Sequence, residues 1–149
     1  MSPAEFLLRL GCALLCGVII GAERQWRQRT AGLRTYTLVA VGSCLFVIAG
    51  CLVPDTSSTR MASYVVSGVG FLGAGVIMRS GFNIRGLNTA ATIWCSSALG
   101  TLSGVGYFRF AAMGAVCVLG VNTSFAPWSR SSTGSQSMPA SRNSSIPCS

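Results

Sequence analysis

The side chains available for chemistry are few: three carboxylates, seven cysteines, eleven arginines, and no lysine or histidine. Without histidine there is no imidazole for acid–base catalysis or zinc, and without lysine no phosphate loop of the GxxxxGK[ST] type. The carboxylates, Glu5, Glu23 and Asp55, are scattered along the chain. Cys12, Cys16, Cys44, Cys95 and Cys117 fall inside apolar runs and Cys51 near the end of one, where cysteine acts as a small buried hydrophobe. No CxxC pair is present to indicate zinc or redox work. The chain therefore reads as a non-enzyme with no metal or cofactor. The polar set that remains is Asn88, Thr92, Cys95, Ser96, Gly100 and Ser103, which share one side of a helix. Polar groups facing lipid are costly, so this stripe is expected to face other helices or a partner.

The elements that carry these residues are strongly apolar. Half of the residues are hydrophobic, 9% are charged, and mean hydropathy is +0.57, which indicates a polytopic membrane protein. The arginines sit at the ends of apolar runs, as anchors do, and nucleic-acid binding is not expected. The fold expected is all-α, a bundle of about five transmembrane helices over 1–123.

The chain is organised around 65–104, a glycine-rich apolar run, the loop 79–86, and a second run bearing the polar stripe. Before them, helices are expected over 5–21, with Arg9 snorkelling to the interface, and over 36–53, ending at Pro54. The apolar run 10–20 lacks a preceding basic segment, so it is read as a retained helix rather than a signal peptide. A third helix spans 61–78, with Ser63, Ser67, Gly70 and Ala74 as a smooth face for packing and Phe71, Leu72 and Ile77 on other faces. The fourth starts near Leu87, and a short fifth covers 110–121. Gly17/Gly21 and Gly100/Gly104 form GxxxG pairs that let helices approach closely.

Arg24, Arg27, Arg29 and Arg34 cluster between the first two helices, with Trp26 at interfacial depth, and Arg79 and Arg85 in the third loop. The positive-inside rule places these loops in the cytoplasm, giving five spans with an external N-terminus and a cytoplasmic C-terminus. The charges are read as topology signals and headgroup contacts, or as a docking surface. Glu23 and Arg27, spaced i, i+4, can pair if the first helix continues past the membrane surface.

Three segments carry a resemblance: GAERQWRQRTAGLRT (21–35), VSGVGFLGAGVIMR (66–79) and RGLNTAATIWCSSALG (85–100). In this order they closely resemble the MgtC/SapB family, over about 7–121. The matching positions are Glu23, Arg24, Trp26 and Arg27; Gly68, Gly70, Gly73 and Gly75; and Arg85, Asn88, Thr89 and Cys95. Asn88 and Cys95 look like the family's functionally sensitive asparagine and cysteine. The resemblance implies a bacterial inner-membrane protein with five spans and a cytoplasmic C-terminus. It also implies a role in growth at low magnesium and survival in macrophages, through binding and restraining the membrane sector of the F-type ATP synthase. Family members continue into an ACT-type cytoplasmic domain. Here 124–149 is Ser-rich and aperiodic, which reads as a disordered tail from a frameshift or truncation.

A non-enzymatic membrane regulator is thus the leading expectation, with lipid and a partner helix as contacts and faces compatible with a homo-oligomer. The polar stripe either meets that partner or ties this bundle together. The alternative is a Mg²⁺ transporter or channel, which would need oxygen ligands that this carboxylate-poor chain hardly offers. A lipid- or acid-stress role through the basic loop rests on charge alone.

Overall fold

The computed structural model describes residues 1–27, 31–53, 57–80 and 83–124. Within them the chain forms five helices: α1 (Pro3–Trp26), α2 (Leu33–Leu52), α3 (Ser58–Val76), α4 (Leu87–Val105) and α5 (Phe108–Ser124). Of these, α1 and α2 are long and apolar enough to cross a bilayer, and α5 is a shorter apolar helix. The expectations for the tail lie outside the described residues, except that Ser124 closes α5.

Local sequence explains where the helices begin and end. Ser2 caps α1 by accepting from the Glu5 amide at 3.2 Å, with Pro3 in the first turn. Helix α1 runs five residues past its expected end, because nothing from Ala22 to Trp26 is Gly or Pro. Ser57 caps α3 in the same way as Ser2 caps α1. Gly106, at φ +100°, ends α4 in the left-handed conformation that glycine accepts without strain.

The loop expected between α3 and α4 is a hairpin of two short strands. Met78–Ser80 (β1) and Asn83–Arg85 (β2) pair antiparallel, with Met78 opposite Arg85. The hairpin delivers the chain to Gly86, whose φ of +92° starts α4. A Cβ there would lie 2.2 Å from the Val76 carbonyl oxygen. Gly86→Ala is expected to cost at least about 2 kcal/mol, combining the left-handed penalty with that clash. A lowered thermal midpoint by circular dichroism in detergent checks this.

The helices alternate in direction. The end of α1 meets the start of α4 through Arg24 and Asn88, and its beginning meets the end of α4 through Arg9 and Gly104. Helix α2 lies at the centre, against α1, α4 and, more loosely, α3. Arg24, Arg27, Arg34, Arg79 and Arg85 consequently gather at one end, and Arg9, Arg60 and Arg109 at the other.

The core mixes apolar residues such as Ile20, Val47 and Ile93 with polar ones, while many large hydrophobic side chains lie outside. Arg24, Ser43, Thr89, Thr92, Ser96, Ser97 and Ser103 are buried, while Leu7, Leu15, Phe46, Phe71, Trp94, Met113 and Val116 are exposed. The buried hydroxyls are used between or within helices: Ser96 donates to the Tyr36 carbonyl at 2.7 Å, and Ser43 and Ser97 pair at 2.7 Å.

Arg9 is largely buried, pairs with Glu5 one turn nearer the start of α1 at 2.5 Å, and donates to the Gly104 carbonyl at 2.6 Å, where a cation complements the C-terminal end of α4. One expectation is corrected. In α3, Ser63, Ser67, Gly70 and Ala74 are exposed, and Val65 and Val69 are the buried residues. The branched side chains supply the apolar volume that packs against neighbouring helices, which leaves the small-residue face outward.

Candidate functional site

The site is built on the buried face of α1. Cys16, Gly17, Ile20, Gly21 and Arg24 recur at helical spacing and are all buried. The two glycines bring this face against α2: a Cβ on Gly17 would lie 2.7 Å from Thr37 Cα, and one on Gly21 2.8 Å from Leu33 Cα. One turn further along, that close approach carries Arg24 inside, at 1% exposure.

Arg24 joins three helices there. Its Nη2 donates to Asn88 Oδ1 at 2.8 Å and to Thr92 Oγ1 on α4, and to Asn122 Oδ1 on α5 at 2.8 Å. The Thr92 hydroxyl in turn donates to the Asn88 carbonyl at 2.8 Å. Glu23, only slightly exposed, pairs with Arg27 at 2.5 Å and lies 3.8 Å from Arg24. Helix α1 therefore does continue far enough for the Glu23–Arg27 pair. One carboxylate serves two guanidinium groups, so the cluster is electropositive.

The sequence-derived residues are partly brought together. Arg24, Asn88, Thr92, Glu23 and Arg27 form one cluster, in which Asn88 remains exposed while its side-chain oxygen accepts from Arg24. Cys95 is half-buried three residues beyond Thr92. Trp26 is 91% exposed at the end of α1, and Arg85 is exposed at the end of β2; no hydrogen bond among the described residues joins either to the cluster. Arg24 belongs to a helix and not to the loop in which the sequence reading put it. Asn122 was missed, one residue past the expected end of the fifth helix. Its signal is faint: a lone amide in an apolar segment.

The packing glycines divide in two. Gly100 and Gly104 of α4 lie against α2, where Cβ atoms would fall 2.1 Å from the Ala40 carbonyl oxygen and 2.9 Å from that of Cys44. On α3 the packing expectation does not hold within the chain. Gly68, Gly70 and Gly75 would present a Cβ to open space, and Gly73 only to Ala90 at 3.7 Å. In a helix held by Val65 and Val69, those three glycines are left without close contact to a neighbour.

The family model described as MgtC family matches residues 10–131. The chain belongs to the MgtC family. Among relatives of the MgtC family, it is 53% identical over 122 residues to Protein MgtC of Salmonella typhimurium (strain LT2), covering 82% of this chain and 53% of that protein. It is 56% identical over 119 residues to Protein MgtC of Brucella abortus (strain 2308), covering 79% of this chain and 50% of that one. An uncharacterized protein of Synechocystis is 54% identical over 130 residues, covering 87% and 56% of the two chains. The chain thus spans about half the length of the curated relatives it matches. No solved structure matches it.

Proposed function

We propose that this chain is a five-span inner-membrane regulator of the MgtC type, not an enzyme. In this reading it serves growth at low magnesium and survival in macrophages by restraining the F-type ATP synthase, and with it membrane potential. The membrane reading is supported by the many large hydrophobic side chains outside, with an arginine and several serines and threonines buried in the core. The gathering of five arginines at one end supports a cytoplasmic placement for that end, with the N-terminus periplasmic and the C-terminus cytoplasmic.

The observation that carries the regulator reading is the state of Asn88. Arg24 fixes its side-chain oxygen from within, while the residue stays exposed at the arginine-rich end. Asn88 is thereby held rigidly where an intramembrane partner, proposed to be the synthase membrane sector, can contact it. Arg85 is exposed three residues before Asn88, and Cys95 is half-buried two turns beyond it on α4. A Mg²⁺ path is the weaker reading, because the cluster's one carboxylate is already paired with Arg27 and the buried Arg24 repels a dication.

ATP-driven proton pumping in inverted vesicles at fixed synthase content tests the proposal. Added chain is expected to lower the initial rate several-fold, and the Asn88→Ala form to restore most of it. Equal pumping with and without the chain would overturn the regulator reading.

A further inference from the structure

The apolar exterior is interrupted by a groove between α2 and α3, of about 570 Å³, running from Phe46 and Met61 to Leu38 and Leu72. Of the two hydroxyls that line it, Ser43 on α2 is already paired with Ser97, and Tyr64 on α3 belongs to an exposed side chain, so the wall of the groove is otherwise apolar. Gly42 and Gly68 line it, and a Cβ on either would meet nothing within 4 Å, so two missing side chains leave it open.

Leu38, Val39 and Leu72 also line a second depression of about 400 Å³, which continues the groove to Arg34. Arg34 is exposed and has no ion pair among the described residues. Glu23, the acid at this end, is held by Arg27 and Arg24 and does not compete for it. At the start of α2, Gln25 Oε1 accepts from the Leu33 amide at 3.3 Å and the N-cap Gly32 brings no further side-chain acceptor, so the positive end of that helix, neutral acceptor included, adds to the charge of Arg34.

An apolar trough with a cation at one end is complementary to an anionic amphiphile. From Phe46 to Arg34, α2 rises about 18 Å, close to the depth of one leaflet of a hydrocarbon core roughly 30 Å thick. The 570 Å³ portion, spread over the rise from Leu38 to Phe46, is on the order of 8 Å wide, narrower than a helix and wide enough for a hydrocarbon chain.

We propose that this groove binds one acyl chain of an anionic phospholipid whose headgroup phosphate is held by Arg34. The inference rests on the membrane reading above. The test is native mass spectrometry of the purified full chain in detergent, with phosphatidylglycerol or phosphatidylcholine of matched chains. A one-to-one phosphatidylglycerol adduct is expected, several-fold more abundant than the phosphatidylcholine adduct. R34Q is expected to abolish that preference. G68L, which puts a side chain into open groove space at a helical position that favours leucine, is expected to remove both adducts. G42L does the same from the facing helix. Equal binding of the two lipids, or adducts unchanged in all three variants, would overturn the proposal. Flotation with phosphatidylglycerol vesicles separates the two readings: a chain that floats yet shows no variant effect refutes the groove alone, and one that does not float refutes the membrane reading as well.

Discussion

Replacing Arg24 with methionine is expected to destabilise the bundle by about 3 kcal/mol or more, one of the largest single-residue effects in the chain. Methionine fills much of the arginine stem's space but offers no donor. The side-chain oxygens of Asn88 and Asn122 and the hydroxyl of Thr92 all lose the group that joins them. The side-chain amide nitrogen of Asn122 has no hydrogen-bond partner among the described residues, so this residue would lose its one connection to α1. Arg24→Lys is expected to recover only part of the loss, because all three acceptors meet Nη2 and a lysine stem ends about one bond short of that atom. The effect should fall mainly on the docking of α5, and be visible as faster proteolysis near its C-terminal end at unchanged helix content. A thermal midpoint within 2 °C of the parent, about the shift that 1 kcal/mol gives at this size, would show that Arg24 ties nothing together.

Gly100→Val carries the second large effect, and its origin is steric. A Cβ at this position would stand 2.1 Å from the Ala40 carbonyl oxygen and 2.8 Å from its carbon. The obstacle is backbone, which cannot rotate away as a side chain can, so α2 and α4 must separate. Separation would strain the Ser43–Ser97 and Ser96–Tyr36 hydrogen bonds that cross the same interface. The expected cost is at the upper end of about 1–3 kcal/mol for overpacking, or beyond it. Gly70→Ala is the control, because its Cβ would meet nothing within 4 Å. There the gain in helix propensity should leave stability equal or higher by up to about 1 kcal/mol. Urea titrations of the two variants in detergent check the contrast. Similar losses for both would show that glycine spacing, and not the approach to Ala40, sets the interface.

Much of the fold was legible because its signals are local. Long apolar runs, Pro54 after α2 and the GxxxG pairs are properties of neighbouring residues, and they located the helices and the contacts of Gly17, Gly21, Gly100 and Gly104. Arg24 was legible in principle. It continues the i, i+4, i+7 series of Gly17 and Gly21, but charge assigned it to a loop before helical spacing could place it on a face. The face of α3 misled for a related reason: its small residues permit close packing, whereas Val65 and Val69 supply the volume that decides which side is covered. Asn122 and the groove beside Arg34 depend on how far apart α2, α3 and α5 come to rest, and no local pattern encodes that distance.

The account turns on Arg24 as the link between α1, α4 and α5. A mutant cycle in thermal unfolding tests it directly, comparing Arg24→Met alone with Arg24→Met combined with Asn88→Leu, Thr92→Val and Asn122→Leu. Removing these three partners together leaves Glu23, still paired with Arg27, as the one acid of the cluster and strands none of the three acceptors, so the combined variant is expected to regain most of the stability lost by the single one. Losses that simply add, with the combined variant the least stable, would contradict the account.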